Sequence, residues 1–206
     1  MFEGLYAITP DTADTPVLLE QVRQALEGGA QAVQYRNKSG DAALRHEQGS
    51  ELLALCREFS IPLIVNDDVR LADLIGADGV HLGQDDSRLS AARVILGPDK
   101  IIGISCYADL GRALAAEREG ADYVAFGRFF PSQTKPDAPP APLSLLREAK
   151  QRLRIPIVAI GGIDLDNAAR LVAAGADAVA VVSALFGADD IRLTAECFAA
   201  RFQTSH

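Results

Sequence analysis

A five-residue pattern recurs four times along the chain: Gly29-Ala30-Gln31-Ala32-Val33, Gly76-Ala77-Asp78-Gly79-Val80, Gly120-Ala121-Asp122-Tyr123-Val124 and Gly175-Ala176-Asp177-Ala178-Val179. Its glycines lie 47, 44 and 55 residues apart. Each follows an amphipathic segment and precedes a short apolar run, as a helix end turning into a buried strand does. The spacing is too long for one βα unit and suits two. The intervening strands are Ile61-Pro62-Leu63-Ile64-Val65-Asn66, Lys100-Ile101-Ile102-Gly103-Ile104-Ser105 and Ile155-Pro156-Ile157-Val158-Ala159-Ile160, with Gly4-Leu5-Tyr6-Ala7-Ile8 as the first. Near-continuous apolar runs imply strands covered on both faces, as in a parallel sheet.

Helical stripes fill the gaps: Val17, Leu18, Val22, Ala25 and Leu26; Leu52, Leu53, Leu55, Cys56 and Phe59; Leu143, Leu145, Leu146 and Ala149. Eight strands alternating with eight helices predict an α/β fold, a single (β/α)8 TIM barrel over residues 1–206. A doubly wound open sheet is the structural alternative, but it would not require so even a repeat. The chain's 206 residues suit one domain at the short end for such a barrel, and 49% hydrophobic residues supply its core. The stretch Pro136-Asp137-Ala138-Pro139-Pro140-Ala141-Pro142 reads as an extended loop before a helix rather than a linker.

A formal net charge of -8 argues against nucleic-acid or anionic-membrane partners. An anionic small substrate would therefore need a local basic cluster or a metal. Three cysteines without CxxC spacing and a start without signal-peptide character predict a cytoplasmic protein. No apolar run reaches the roughly 20 residues of a membrane helix. The sequence leaves a homo-oligomer open.

In a barrel, polar residues just after strand ends share one face. Here they gather repeatedly: Gln34-Tyr35-Arg36-Asn37-Lys38, Asn66-Asp67-Asp68, His81 through Asp86, Ser105, Phe130 through Lys135, Gly161-Gly162 and Val182-Ser183. Helix capping is the plain reading of Asn66-Asp67-Asp68 and of Asp85-Asp86. Two acidic loops on adjacent strands would nonetheless repel unless a cation sat between them. Mg²⁺ takes oxygen ligands and completes its shell with water and phosphate, so Asp67 and Asp86 are the favoured ligands. The three histidines lack zinc-ligand spacing. Arg36 and Lys38 alternate, which on an extended strand end would put both on one side. With Lys135 they would form a cationic clamp. Gly161-Gly162 and Ser183 follow strands seven and eight, whose loops often cradle phosphate in such barrels.

In order along the chain, Gln34-x-Arg36-x-Lys38, Asn66-Asp67, Gly79-Val80-His81-Leu82-Gly83-Gln84-x-Asp86, Phe130-Pro131-Ser132-Gln133-Thr134-Lys135 and Ala159-Ile160-Gly161-Gly162 resemble the thiamine-phosphate synthase (thiamine-phosphate pyrophosphorylase) family. The likeness runs from Gly4 to Ser183. It implies joining of 4-amino-2-methyl-5-hydroxymethylpyrimidine diphosphate to a thiazole phosphate, with release of pyrophosphate. It also implies that Gln34, Tyr35, Arg36, Asn37, Lys38, Asn66, Ser105 and Lys135 contact the pyrimidine diphosphate. Ser132, Gln133, Thr134, Gly162, Val182 and Ser183 match its thiazole-phosphate site, and Asp67 and Asp86 its Mg²⁺ ligands. Many relatives carry Ser-Thr-His where this chain has Ser105-Cys106-Tyr107, so a role tied to that histidine does not transfer. Cys106 has no nearby base and is expected to pack or to line the site rather than act as a nucleophile. The Pro-rich stretch after Lys135 could form part of a lid. Competing readings are a thiazole tautomerase of the same superfamily, a non-catalytic phospholigand-binding barrel and another phosphosugar barrel.

Overall fold

The computed structural model describes residues 3–38, 41–83, 87–131 and 140–203. Its strands are β1 (Gly4–Ile8), β2 (Ala32–Tyr35), β3 (Leu63–Asn66), β4 (Gly79–Leu82), β5 (Ile101–Tyr107), β6 (Tyr123–Gly127), β7 (Ile157–Ile160) and β8 (Ala178–Val181). They pair in parallel in chain order, and β8 pairs with β1 to close a barrel. The helices are α1 (Thr15–Glu27), α2 (Ala42–Glu58), α3 (Val69–Ile75), α4 (Ser87–Leu96), α5 (Leu110–Arg118), α6 (Leu143–Arg152), α7 (Ala168–Ala173), α8 (Ser183–Phe186) and α9 (Ile191–Gln203). Among the described residues, none is long and apolar enough to cross a membrane.

The recurring pattern has one structural job done four times. Gly29, Gly76, Gly120 and Gly175 all take positive φ, which ends the preceding helix at little steric cost. The next alanine sends its N–H back five residues: Ala30 to Ala25, Ala77 to Ala72, Ala121 to Ala116 and Ala176 to Leu171. That six-to-one bond satisfies a carbonyl the helix would leave open. The aspartate then ties the even strand to its odd predecessor. Asp78 accepts from Leu63 N–H at 2.9 Å, Asp122 from Ile102 N–H at 2.7 Å and Asp177 from Ile157 N–H at 2.9 Å. Gln31 takes this place in the first copy, and its backbone N–H reaches Leu5 O at 2.8 Å.

With strand pairing fixed at its start, side chains sort into two layers. Tyr6, Ile8, Ala32, Ile64, Tyr123, Ala125, Val158, Ala178 and Ala180 pack together as one inner cluster. The larger cluster, including Leu5, Ala7, Val33, Val65, Leu146 and Phe198, joins strands and helices. Inside, β5 thins to Gly103 where the fully buried Tyr123 ring lies against it.

Several expectations need correction. The helix stripe at Val17 is misplaced, because that side chain is exposed and Thr15 is buried instead. Strand five runs on through Tyr107, with a register irregularity between Ser105 and Tyr107. Eight helices become nine among the described residues, because the four-residue α8 precedes α9. A short extra helix after the last strand is a recurring barrel feature, and it is too short to leave a periodic signal.

Two glycine substitutions separate backbone strain from packing. Gly120→Ala puts its methyl into open space at positive φ and should cost about 1 kcal/mol. Gly103→Ala drives a methyl into the Tyr123 ring and should cost about 3 kcal/mol. Urea midpoints compared with that of the unsubstituted chain give both values; equal losses would contradict this assignment.

Candidate active site

A cavity of about 590 Å³ opens at the C-terminal ends of the strands, and all eight contribute to its walls. Alternation selects strand residues for the lining, Tyr6 and Ile8 from β1, Gln34 from β2, and Val158 and Ile160 from β7, and Arg36 joins them from the loop after β2. The same alternation corrects one expectation. Tyr35 does not line the cavity; it turns outward, is buried in the outer cluster and donates to Gln48 Oε1 at 3.0 Å. Burial pushes its hydroxyl pKa up to about 12.

The floor is a continuous polar chain in an otherwise apolar barrel. Gln34 Nε2 donates to Tyr6 Oη at 2.8 Å, and Tyr6 Oη lies 3.0 Å from Tyr123 Oη. Tyr123 Oη is 2.8 Å from His81 Nδ1, and His81 Nε2 is 2.9 Å from Ser105 Oγ. The Tyr123 ring meets Tyr6 edge-on and stacks with His81. Burial raises both phenol pKa values far above the ordinary tyrosine range, so both stay protonated near neutral pH. Gln34 and Ser105 belong to the expected site. Tyr6 and Tyr123 do not, and His81 joins the floor through its hydrogen bonds to Tyr123 and Ser105.

At the rim, Arg36 is held by the first loop. Its backbone N–H donates to the buried Thr9 hydroxyl at 2.9 Å, whose O–H donates to Arg36 O at 3.1 Å. Its guanidinium pairs with Asp11 at 3.1 Å, and the other Asp11 oxygen accepts from Lys38 N–H at 2.8 Å. Asn37 is tied away from the cavity, donating to Gln48 Oε1 at 2.9 Å and Thr12 O at 3.3 Å. β2 ends at Tyr35, so strand alternation does not govern Arg36 through Lys38, and the Lys38 side chain is exposed. Asp11 and Arg128, both lining residues, were missed. Arg128 directly follows a strand, a signal the sequence did offer.

The two acids after β3 have divided their work. Asp68 caps α3 by accepting from Leu71 N–H at 2.9 Å and pairs with Arg45 at 3.1 Å. Asp67 is exposed at φ 61°, and its carboxylate accepts from Asn66 Nδ2 at 2.8 Å. Gly83, opening the loop toward Asp86, lies beside that carboxylate. No group of three or more metal-ligating side chains assembles among the described residues. Gln84, Asp85, Asp86, Ser132, Gln133, Thr134 and Lys135 lie outside the described residues, as does most of the Pro-rich stretch.

Gly161 and Gly162 take φ of 101° and 66°. A side chain at either would strike the Arg128–Pro131 segment, which packs against them through Phe130 N–H to Gly161 O at 3.1 Å. Close backbone approach therefore explains both glycines. Val182 precedes α8, whose first residues, Ser183 and Ala184, line the cavity without a side-chain cap. Cys106 is buried on the outer layer, facing the helices.

A closed (β/α)8 barrel with a polar-floored cavity and cations at its strand-end mouth defines an enzyme scaffold suited to anionic small molecules. Comparison with known proteins narrows the class. The chain belongs to the thiamine monophosphate synthase family, whose profile matches residues 5–185. A thiamine-phosphate synthase from Thiobacillus denitrificans is 60% identical over 192 residues, 93% of this chain and 91% of the relative. One from Nitrosospira multiformis is 57% identical over 200 residues, 97% and 86% of the respective chains. The solved thiamine phosphate pyrophosphorylase of Pyrococcus furiosus superposes with a TM-score of 0.86 at 40% identity, covering 97% of this chain and 95% of that one.

The division of acids is testable by stability. Asp68→Ala should cost about 1 kcal/mol through loss of the helix cap, whereas Asp67→Ala should leave the stability from urea unfolding within about 0.5 kcal/mol of the unsubstituted chain. Equal destabilisation would mean that both acids serve the fold.

Proposed function

We propose that this protein joins 4-amino-2-methyl-5-hydroxymethylpyrimidine diphosphate to a thiazole phosphate, forming thiamine phosphate and pyrophosphate. The observation that carries this reading is family membership across the barrel, combined with a cavity whose floor is polar and whose rim bears Arg36 and Arg128. The volume of about 590 Å³ accommodates ligands of this size.

The chemistry makes modest demands on the protein. The pyrimidine C–O bond breaks, its electron pair leaves with diphosphate, and the thiazole nitrogen lone pair forms the new C–N bond. An electron-rich aminopyrimidine stabilises the cationic methylene between these events. No general base is required, and the described site contains no hydrogen-bonded Ser-His-Asp triad. Arg36 would offset charge accumulating on the leaving diphosphate, and Ser105 would donate to it. The apolar walls Ile8, Val158 and Ile160 would exclude water from the cation. Loops after β7 and β8, through Gly162, Val182 and Ser183, would receive the thiazole phosphate.

Asp67 fits a divalent-cation role because an exposed carboxylate at positive φ has no cationic partner among the described residues. Asp67, with Asp86 from the neighbouring loop, would hold Mg²⁺, which would supply charge neutralisation for the diphosphate.

Purified protein, Mg²⁺ and both substrates should yield thiamine phosphate and pyrophosphate in equal amounts. Arg36→Ala should lower kcat/KM on the order of a hundredfold, and Asp67→Ala should shift the Mg²⁺ titration to higher concentration. A rearranged thiazole without pyrophosphate release would favour a tautomerase, and binding without turnover a ligand sensor; either would overturn the proposal.

A further inference from the structure

The buried chain under the cavity runs from Gln34 to Ser105 through Tyr6, Tyr123 and His81; of the five, Tyr123 alone does not line the cavity. Gln34 enters as a donor, because its amide nitrogen faces Tyr6 Oη. Passing one proton across each succeeding contact gives one consistent direction. Tyr6 O–H donates to Tyr123, Tyr123 O–H donates to His81 Nδ1, and His81 Nε2–H donates to Ser105 Oγ. We infer that Gln34, Tyr6, Tyr123, His81 and Ser105 form a directional hydrogen-bond relay that holds His81 as its Nε2–H tautomer and leaves the Ser105 O–H to donate into the cavity.

The direction couples the two ends. Gln34 and Ser105 both line the cavity. In the assigned direction, the Gln34 carbonyl is an acceptor there and the Ser105 hydroxyl is a donor. Rotating the Gln34 amide would reverse every link: its amino group would face the ligand, His81 would carry its proton on Nδ1, and Ser105 would donate inward to His81. While each hydroxyl donates along the relay, a change in hydrogen-bonding character at one end is carried to the other. Resting on the function proposed above, this polarity matches a ligand with an amino donor at one end and a diphosphate acceptor at the other. Tyr123 is then a positioning residue for Ser105, acting through His81. Burial of Tyr6, Tyr123 and His81 strengthens each link, because a hydrogen bond in a low-dielectric interior is electrostatically stronger than one in water. Gly103 contributes by leaving room for the Tyr123 ring between Tyr6 and His81.

The imidazole tautomer provides the test. Full-length protein labelled with ¹⁵N-histidine contains three histidines, and His46→Gln and His206→Gln spectra assign the His81 signals. Long-range ¹H–¹⁵N spectra should give the Nε2–H pattern for His81. Tyr123→Phe keeps the ring but removes the donor to Nδ1, and should produce an Nδ1–H or mixed pattern. Ser105→Ala removes only the far acceptor and should retain Nε2–H. With the two proposed substrates, Tyr123→Phe should reduce kcat/KM for the pyrimidine about tenfold, equivalent to one lost hydrogen bond, while leaving the thiazole KM unchanged. An Nδ1–H pattern in the unsubstituted chain, or an unchanged tautomer in Tyr123→Phe, would overturn the relay. The expected tautomer changes in a protein inactive on both substrates would support the relay while removing the functional reading.

Discussion

Asp78, Asp122 and Asp177 fasten the barrel where its strands begin: near the start of β3, β5 and β7, one N–H needs a partner. Each carboxylate accepts that N–H from the neighbouring strand. The accompanying backbone bonds, such as Asp78 N–H to Leu63 O and Asp122 N–H to Ile102 O, set the same pairing. Register then decides which side chains enter the barrel. A one-residue slip in β4 would exchange His81 for Leu82, removing the imidazole from the floor and placing an apolar side chain in its stead. The active-site floor consequently depends on bonds at the opposite end of the strands.

The sequence was informative where a local rule repeats. Its glycine pattern marks helix ends and the four even strands, and the three intervening β-branched runs with Gly4–Ile8 mark the odd ones. The exact inward phase was harder to read because near-continuous apolarity conceals the two-residue alternation. Tyr35 illustrates that loss of information, as its outward direction becomes evident only from pairing and Gln48. Asp67 and Asp68 expose a related limit: either acid could cap a following helix, and one backbone torsion separates their roles. The short α8 contains too few residues for a helical period.

The polar floor was still less legible. Tyr6 and Tyr123 are 117 positions apart yet hydrogen-bonded, so no local window contains their relationship. Each sits in an apolar strand and resembles ordinary core there. His81 offered an unusual residue in a buried strand, but its partners arrive from β5 and β6. Such networks emerge only when closure brings distant inward positions to one level. Arg36 was visible as a strand-end cation, whereas its dependence on Thr9 and Asp11 required the relation between two loops.

The Asp11–Arg36 contact also changes what anion capture means energetically. An arriving anion does not meet an unpaired guanidinium; it competes with a carboxylate already attached to the neighbouring loop. Binding therefore exchanges partners, and the gain is the difference between the two pairings rather than the full attraction to Arg36. A weak monoanion offers little advantage over the resident carboxylate, while a polyanion engaging several groups can exceed it. On the proposed function, the mouth would thus carry an affinity threshold against common small anions, since Asp11 and Asp164 line it beside Arg36 and Arg128.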